Sequence, residues 1–212
     1  ALSQNSRMIA GQLEDIENAK IHHSFRMESD LWNEEPLKEK YHNLKMIVLD
    51  DFPIYNEDSP LFQKIVALGK NQQVSVIYLQ GPWANLAVGE MIHSAYPDFL
   101  AKIEDSDMLM GISPNSNLLN NSIIALDQLP PQHRSIKWIS PEKPWVSYMD
   151  ESVLIGNKNN FYLVSLPTLA ENHYKISIDL QSIFTKLIKK VFLHAFHGSA
   201  GLLNLELNGQ SF

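Results

Sequence analysis

The chain has 212 residues, 44% of them apolar, which suffices for one domain with a substantial core and lies far from the composition of disordered chains. Its 24 acidic against 17 basic residues give a net charge of -7, which argues against a general nucleic-acid binder. The absence of cysteine excludes disulfides, thiolate catalysis and cysteine-held zinc.

From Ser3 to Met27, apolar residues recur at Met8, Ile9, Leu13, Ile16, Ala19 and Ile21. That spacing predicts an amphipathic helix in an N-terminal arm, residues 1–40, which packs on the main domain or on a partner. The opening "ALSQNSRMIA" lacks the basic-then-apolar pattern of a secretory signal. No apolar run reaches the roughly 18 residues a membrane span needs. The start fits a chain trimmed only of its initiator methionine or one already processed, and the expectation is a cytoplasmic protein without a membrane partner.

A main domain is expected over residues 41–197, followed by a tail over 198–212. It begins with "KMIVLD", a continuous apolar run of the kind found in strands covered on both faces. "SPLFQKIVALGKN" follows as a helix, with Ser59 as N-cap, Pro60 at the first helical position and Gly69 near the end. "VSVIYL" predicts a second strand and "ANLAVGEMIHSAY" a helix. "DMLMGI" predicts a third strand, "SNLLNNSIIALDQL" a helix and "RSIKWIS" a fourth strand. "DESVLIGNKN" is expected as a short helix, "NFYLVSL" as the fifth strand and "DLQSIFTKLIKKVFLHA" as the last helix. Strands alternating with helices imply an α/β fold, a doubly wound five-stranded parallel sheet with an N-terminal helical arm.

In open parallel sheets, chemistry gathers beyond the carboxyl ends of the strands, and Asp50 and Asp51 fall there. The phrase "MIVLDDFPIYNE" resembles the opening of response-regulator receiver domains: apolar strand, two acids, a variable residue, proline, helix. The resemblance spans roughly Lys45 to Ala195 and implies a receiver, or flavodoxin-like, architecture. It puts the phosphoacceptor position at Gly111 in "DMLMGISP", the strand-end hydroxyl at Ser140 and the switching aromatic at Tyr162. Ser165 stands where receivers carry lysine. Phosphoryl transfer needs a carboxylate nucleophile, a divalent ion and a cation to hold the phosphate. With glycine and serine in two of those places, the resemblance is to a pseudo-receiver that has kept the platform and lost the reaction. Asp50, Asp51, Gly111, Ser140 and Ser165 then mark a vestigial acidic pocket. No catalytic residue and no cofactor is expected, and any metal ligands would be Asp50 and Asp51.

What the resemblance implies for function is a non-catalytic regulatory or adaptor protein acting through protein–protein contacts. The partner expected is another protein, self-association as a homodimer included. By analogy with the receiver output face, the contact residues are Tyr162, Phe184 and Ile188.

A shorter likeness points elsewhere. "VSVIYLQGPWANLAVGEMIHSAYPDFLAKIEDSDMLMG" is similar to a central segment of nucleoside hydrolases, which cleave N-glycosidic bonds with a calcium-activated water. That resemblance implies Asp50, Asn56 and Glu57 as ligands, but the loop lacks its glycine and full aspartate set. None of the eight histidines precedes an aspartate, as the late pair of that family requires. A divalent-metal-dependent N-glycosidic hydrolase is therefore the alternative function. His194 and His197 stand at i, i+3 spacing, with no acidic or histidine partner placed beside them by the sequence.

Overall fold

A computed structural model of the chain describes residues 13–14, 20–22, 24–28, 31–37, 44–72, 74–80, 85–96, 100–105, 112–114, 134–139, 144–148, 152–165 and 188–196. The strands are β1 (Arg26–Glu28), β2 (Leu31–Trp32), β3 (Met46–Asp50), β4 (Ser75–Leu79), β5 (Leu100–Asp105), β6 (Ile112–Pro114), β7 (Arg134–Ile139), β8 (Val146–Tyr148), β9 (Val153–Lys158) and β10 (Phe161–Val164). The helices are α1 (Ser59–Gln72), entered through a 3-10 turn at Asn56–Asp58, α2 (Val88–Ala95) and α3, helical at residues 188–196.

The fold is mixed α/β, built on an open sheet in the order β3-β4-β10-β9-β8-β6. β3, β4 and β10 run parallel, with Ile47 beside Val76 and Val76 beside Phe161. Alternation along these strands divides the side chains between two cores. Val76, Tyr78, Phe161 and Leu163 face one cluster with Phe62, Ile65 and Val66 of α1 and Val88 and Ile92 of α2. Ile77, Leu79, Tyr162 and Val164 face the other, with Ile188, Val191 and Phe192 of α3. Helices thus cover both faces, which is why β10 and β4 beyond Ser75 are apolar without interruption.

The expectation of five parallel strands is corrected beyond β10. β9 pairs antiparallel with β10, β8 with β9 and β6 with β8. The segment expected as a short helix, "DESVLIGNKN", is instead largely β9. Its register with β10, Lys158 opposite Phe161 and Gly156 opposite Leu163, leaves only Asn159 and Asn160 in the turn. Asn159 takes φ 53°, the left-handed conformation a two-residue hairpin demands and asparagine tolerates. "RSIKWI" is a strand as expected, but as β7 it pairs antiparallel with β5 in a separate two-stranded sheet. The strand expected at 107–112 lies outside the described residues except for Ile112, which opens β6. The helix expected at 116–129 and the tail at 198–212 lie outside them entirely.

The arm differs as well. Residues 13–14 are helical, and Leu13 packs against the α3-side core. The helix does not extend to Met27, because Arg26–Glu28 form a hairpin with Leu31–Trp32. Asn33 closes that hairpin: its N–H donates to the Phe25 carbonyl at 3.0 Å, and its Oδ1 accepts from the Phe25 N–H at 2.6 Å. Trp32 then meets Phe52 edge to face at 6.0 Å. No helix among the described residues is long and apolar enough to cross a membrane.

Gly69 is required by close approach. A Cβ there would lie 2.7 Å from Cγ2 of Val76 and 3.3 Å from the Tyr96 hydroxyl oxygen. Val76 is fully buried and short, so it cannot swing aside. Alanine ordinarily gains up to about 1 kcal/mol over glycine inside a helix. Here overpacking costs about 1–3 kcal/mol, so Gly69→Ala is expected to lower the urea midpoint rather than raise it.

Candidate functional site at the carboxyl edge of the parallel strands

β3, β4 and β10 end in register: Asp50 is beside Leu79, and Leu79 beside Val164. The ladders continue one residue further, with Asp51 N–H donating to the Leu79 carbonyl at 3.0 Å and Gln80 N–H to the Val164 carbonyl at 2.9 Å. The next row across the sheet is therefore Asp51, Gln80, Ser165. All three side chains are polar, yet all three are buried. A polar row directly beyond apolar strands is the feature that marks this edge as the candidate site.

Ser165 and Gln80 satisfy each other: the serine hydroxyl donates to Oε1 of Gln80 at 2.9 Å, and the Ser165 N–H donates to the Leu154 carbonyl at 2.8 Å. Alternation places these side chains on the α1–α2 side of the sheet. Asp50 follows Leu49, which belongs to the α1–α2 core, so its own side chain falls on the α3 side. Asp50 is only 7% exposed, and among the described residues neither carboxylate oxygen has a hydrogen-bond partner. Burial pushes its pKa up to about 7. Asp51, 1% exposed, takes φ 49° and turns the chain out of the strand.

The loop that follows is braced. The carboxylate of Asp58 accepts the N–H groups of Ile54 and Tyr55 at 3.1 and 3.0 Å, closing the 3-10 turn back onto the residues that precede it. Ser59 itself is already helical, with φ -55° and ψ -43°. Asn85 ties the neighbouring loop to this one. Its N–H donates to the Pro53 carbonyl at 2.8 Å, and its Nδ2 donates to Oδ1 of Asn56 at 2.9 Å. Its own Oδ1 accepts the Ala87 N–H at 2.9 Å. On this fixed rim, Tyr55 and Leu86 stand 48% and 49% exposed.

Of the residues read as a vestigial pocket, the structure brings Asp50, Asp51 and Ser165 to one edge, with Asp50 and Ser165 on opposite faces. Gly111 and Ser140 lie outside the described residues, as does Phe184. Tyr162 and Ile188, expected on a contact surface, are buried between β10 and α3 and offer none. Asn56 and Glu57, the other ligands implied by the hydrolase likeness, are exposed whereas Asp50 is buried. Among the described residues no three histidine, aspartate or glutamate side chains are grouped to hold a metal ion. Gln80, Asp58 and Asn85 complete this edge, although neither likeness in the sequence gives them a role. Gln80 carried a usable signal, being the first polar side chain after "VSVIYL".

No protein-family model, curated protein or solved structure matches the chain.

Proposed function

We propose that the chain is a non-catalytic regulatory or adaptor protein that works through protein–protein contact, and that its contact surface is the rim at the carboxyl edge. The observation that carries this reading is the contrast at that edge. The acids that chemistry would need are closed in, while Tyr55 and Leu86 stand outward on loops held by Asp58 and Asn85. Half-exposed aromatic and aliphatic side chains on braced loops suit a protein contact, because the backbone that carries them has little freedom left to lose on binding. Phosphoryl transfer is poorly served here: the place that resembles the receiver lysine holds Ser165, whose hydroxyl is engaged with Gln80.

The order of receiver sheets is 2-1-3-4-5, with the first strand inside. Here β3 is flanked by β4 alone among the described residues. The likeness to receivers therefore rests on Asp50, Asp51 and the replaced lysine, not on strand order. The partner is another protein, a second copy of this chain included.

Affinity capture from cells with the wild-type chain, against a Tyr55→Ser/Leu86→Ser double variant of unchanged melting temperature, tests the surface. A protein partner should be retained by the wild type and reduced about tenfold or more by the variant, the loss expected of hot-spot residues. Size-exclusion chromatography with light scattering identifies the case in which that partner is a second copy. Equal capture by both proteins would remove the rim from consideration. A stable phosphate added by acetyl phosphate, seen in the intact mass, would overturn the non-catalytic reading. One feature favours the divalent-metal hydrolase as a second reading, the buried carboxylate of Asp50 with no hydrogen-bond partner among the described residues. Calcium- or magnesium-dependent stabilisation lost in Asp50→Ala, together with nucleoside cleavage, would establish it.

A further inference from the structure

The geometry points to His194 as a pH-sensitive latch that fastens α3 to the sheet while its imidazole is neutral and loosens the helix in acid. Two polar contacts among the described residues tie α3 to the sheet. The Ser75 hydroxyl donates to the Ala195 carbonyl at 2.6 Å, and the Tyr162 hydroxyl and His194 Nδ1 are 2.9 Å apart. Around the second contact three rings close on one another edge to face. The centroids of Trp145 and His194 lie 4.9 Å apart, those of Trp145 and Tyr162 5.9 Å, and those of Tyr162 and His194 5.8 Å.

A neutral imidazole protonated at Nε2 offers the lone pair of Nδ1 to the phenol proton. Burial pushes the Tyr162 pKa up to about 12, so the phenol remains a donor across the physiological range. Once Nδ1 takes a proton, the acceptor becomes a second donor, and the phenol must surrender its own donation inside an aromatic pocket. Burial also opposes the charge and lowers the pKa of His194 below its ordinary value.

Among the described residues, β10 faces His194 with Tyr162, the 144–148 segment adds the uncharged Trp145, and β4 contributes Ser75 beside it. The carboxyl groups on this side of the sheet are Asp50, at the opposite end of the strands from the Ser75–Ala195 contact and itself raised to a pKa of about 7, and the exposed Glu14 next to Leu13. Along α3, Lys190 lies one turn before His194 and its charge disfavours a second one. Among the described residues no carboxylate pairs with His194. The folded pKa lies below the unfolded value, so the contribution is complete above about pH 6.5 and is lost as pH falls through that value toward the folded one.

Hydrogen exchange of residues 188–196, corrected for the intrinsic rate, measures the latch at pH 7.5 and pH 5. Protection of α3 is expected to fall several-fold, up to about tenfold, the weight of one net hydrogen bond. His194→Phe should keep the ring packing and abolish the pH dependence. PH-independent protection in the wild type, or an acid-induced loss that persists in His194→Phe, would overturn the latch. Should that variant fail to fold, the imidazole resonances of the wild type decide instead. His194 must titrate below a histidine in an unfolded peptide of the same sequence, and titration at or above it overturns the latch equally.

Discussion

Replacing Asp50 by asparagine is expected to stabilise the protein at pH 8. Asp50 ends β3 on the α3 side of the sheet with both oxygens buried and, among the described residues, unpartnered. Its pKa rises from the ordinary 3.8 to about 7, chiefly through burial. The folded chain thus holds a proton that the unfolded chain releases between those values. Stability attributable to this group is complete below pH 4 and is lost as pH rises through 7, where the folded state must carry a buried charge. A rise of about three units converts to an upper bound of roughly 4 kcal/mol, and relaxation around the charge brings the expected gain for Asp50→Asn to about 2–4 kcal/mol. Urea denaturation at pH 4, 6 and 8 should show the variant and the wild type close together at pH 4 and diverging upward. An asparagine variant less stable than wild type at pH 8 would show that the carboxylate is compensated, by a cation or a basic group, and would favour the metal-dependent reading of the site.

The parts of the fold that the residues announced are those in which one periodicity dominated. "KMIVLD" and "VSVIYL" became β3 and β4, and "SPLFQKIVALGKN" became α1, whose Phe62, Ile65 and Val66 form its buried stripe. Where reading by analogy overrode the residues, it erred. Val153, Leu154 and Ile155 form an apolar run before two asparagines, a hairpin signal, yet the receiver likeness asked for a helix there. The same likeness places Tyr162 on a surface, although it sits in "FYLV", whose unbroken apolar character means cover on both faces. At the site, the two aspartates were legible because charge after an apolar strand is conspicuous. Gln80 occupies the equivalent place on β4 and escaped notice because a neutral amide raises no electrostatic question. Which face each side chain takes, the property that separates Asp50 from Ser165, follows from strand register, and register depends on partners far away in sequence.

Asn160→Ala should be the most damaging single substitution in the described polar network. Asn160 lies at the tip of the β9–β10 hairpin, yet its side chain reaches the α1–β4 connection. Nδ2 donates to the carbonyls of Gly69 and of Val74, the latter at 2.9 Å, and Oδ1 accepts the Tyr96 hydroxyl at 3.1 Å. Its backbone carbonyl accepts the Val76 N–H at 2.8 Å. One residue therefore joins the end of α1, the start of β4, the end of α2 and the hairpin that delivers β10 to the parallel set. Alanine deletes three side-chain hydrogen bonds and strands part-buried partners, each costing about 1 kcal/mol or more. The expected loss is about 2–4 kcal/mol, below the simple sum where water reaches the partners. Aspartate restores the acceptor for Tyr96 but not the two donations, so Asn160→Asp should recover only a minor part. Tyr96→Phe removes one bond alone and should cost about 1 kcal/mol. Denaturant melts of the three variants give the ranking. If Asn160→Ala proved no worse than Tyr96→Phe, the bracket between hairpin and helix would have no energetic weight, and β10 would owe its place beside β4 to apolar burial alone.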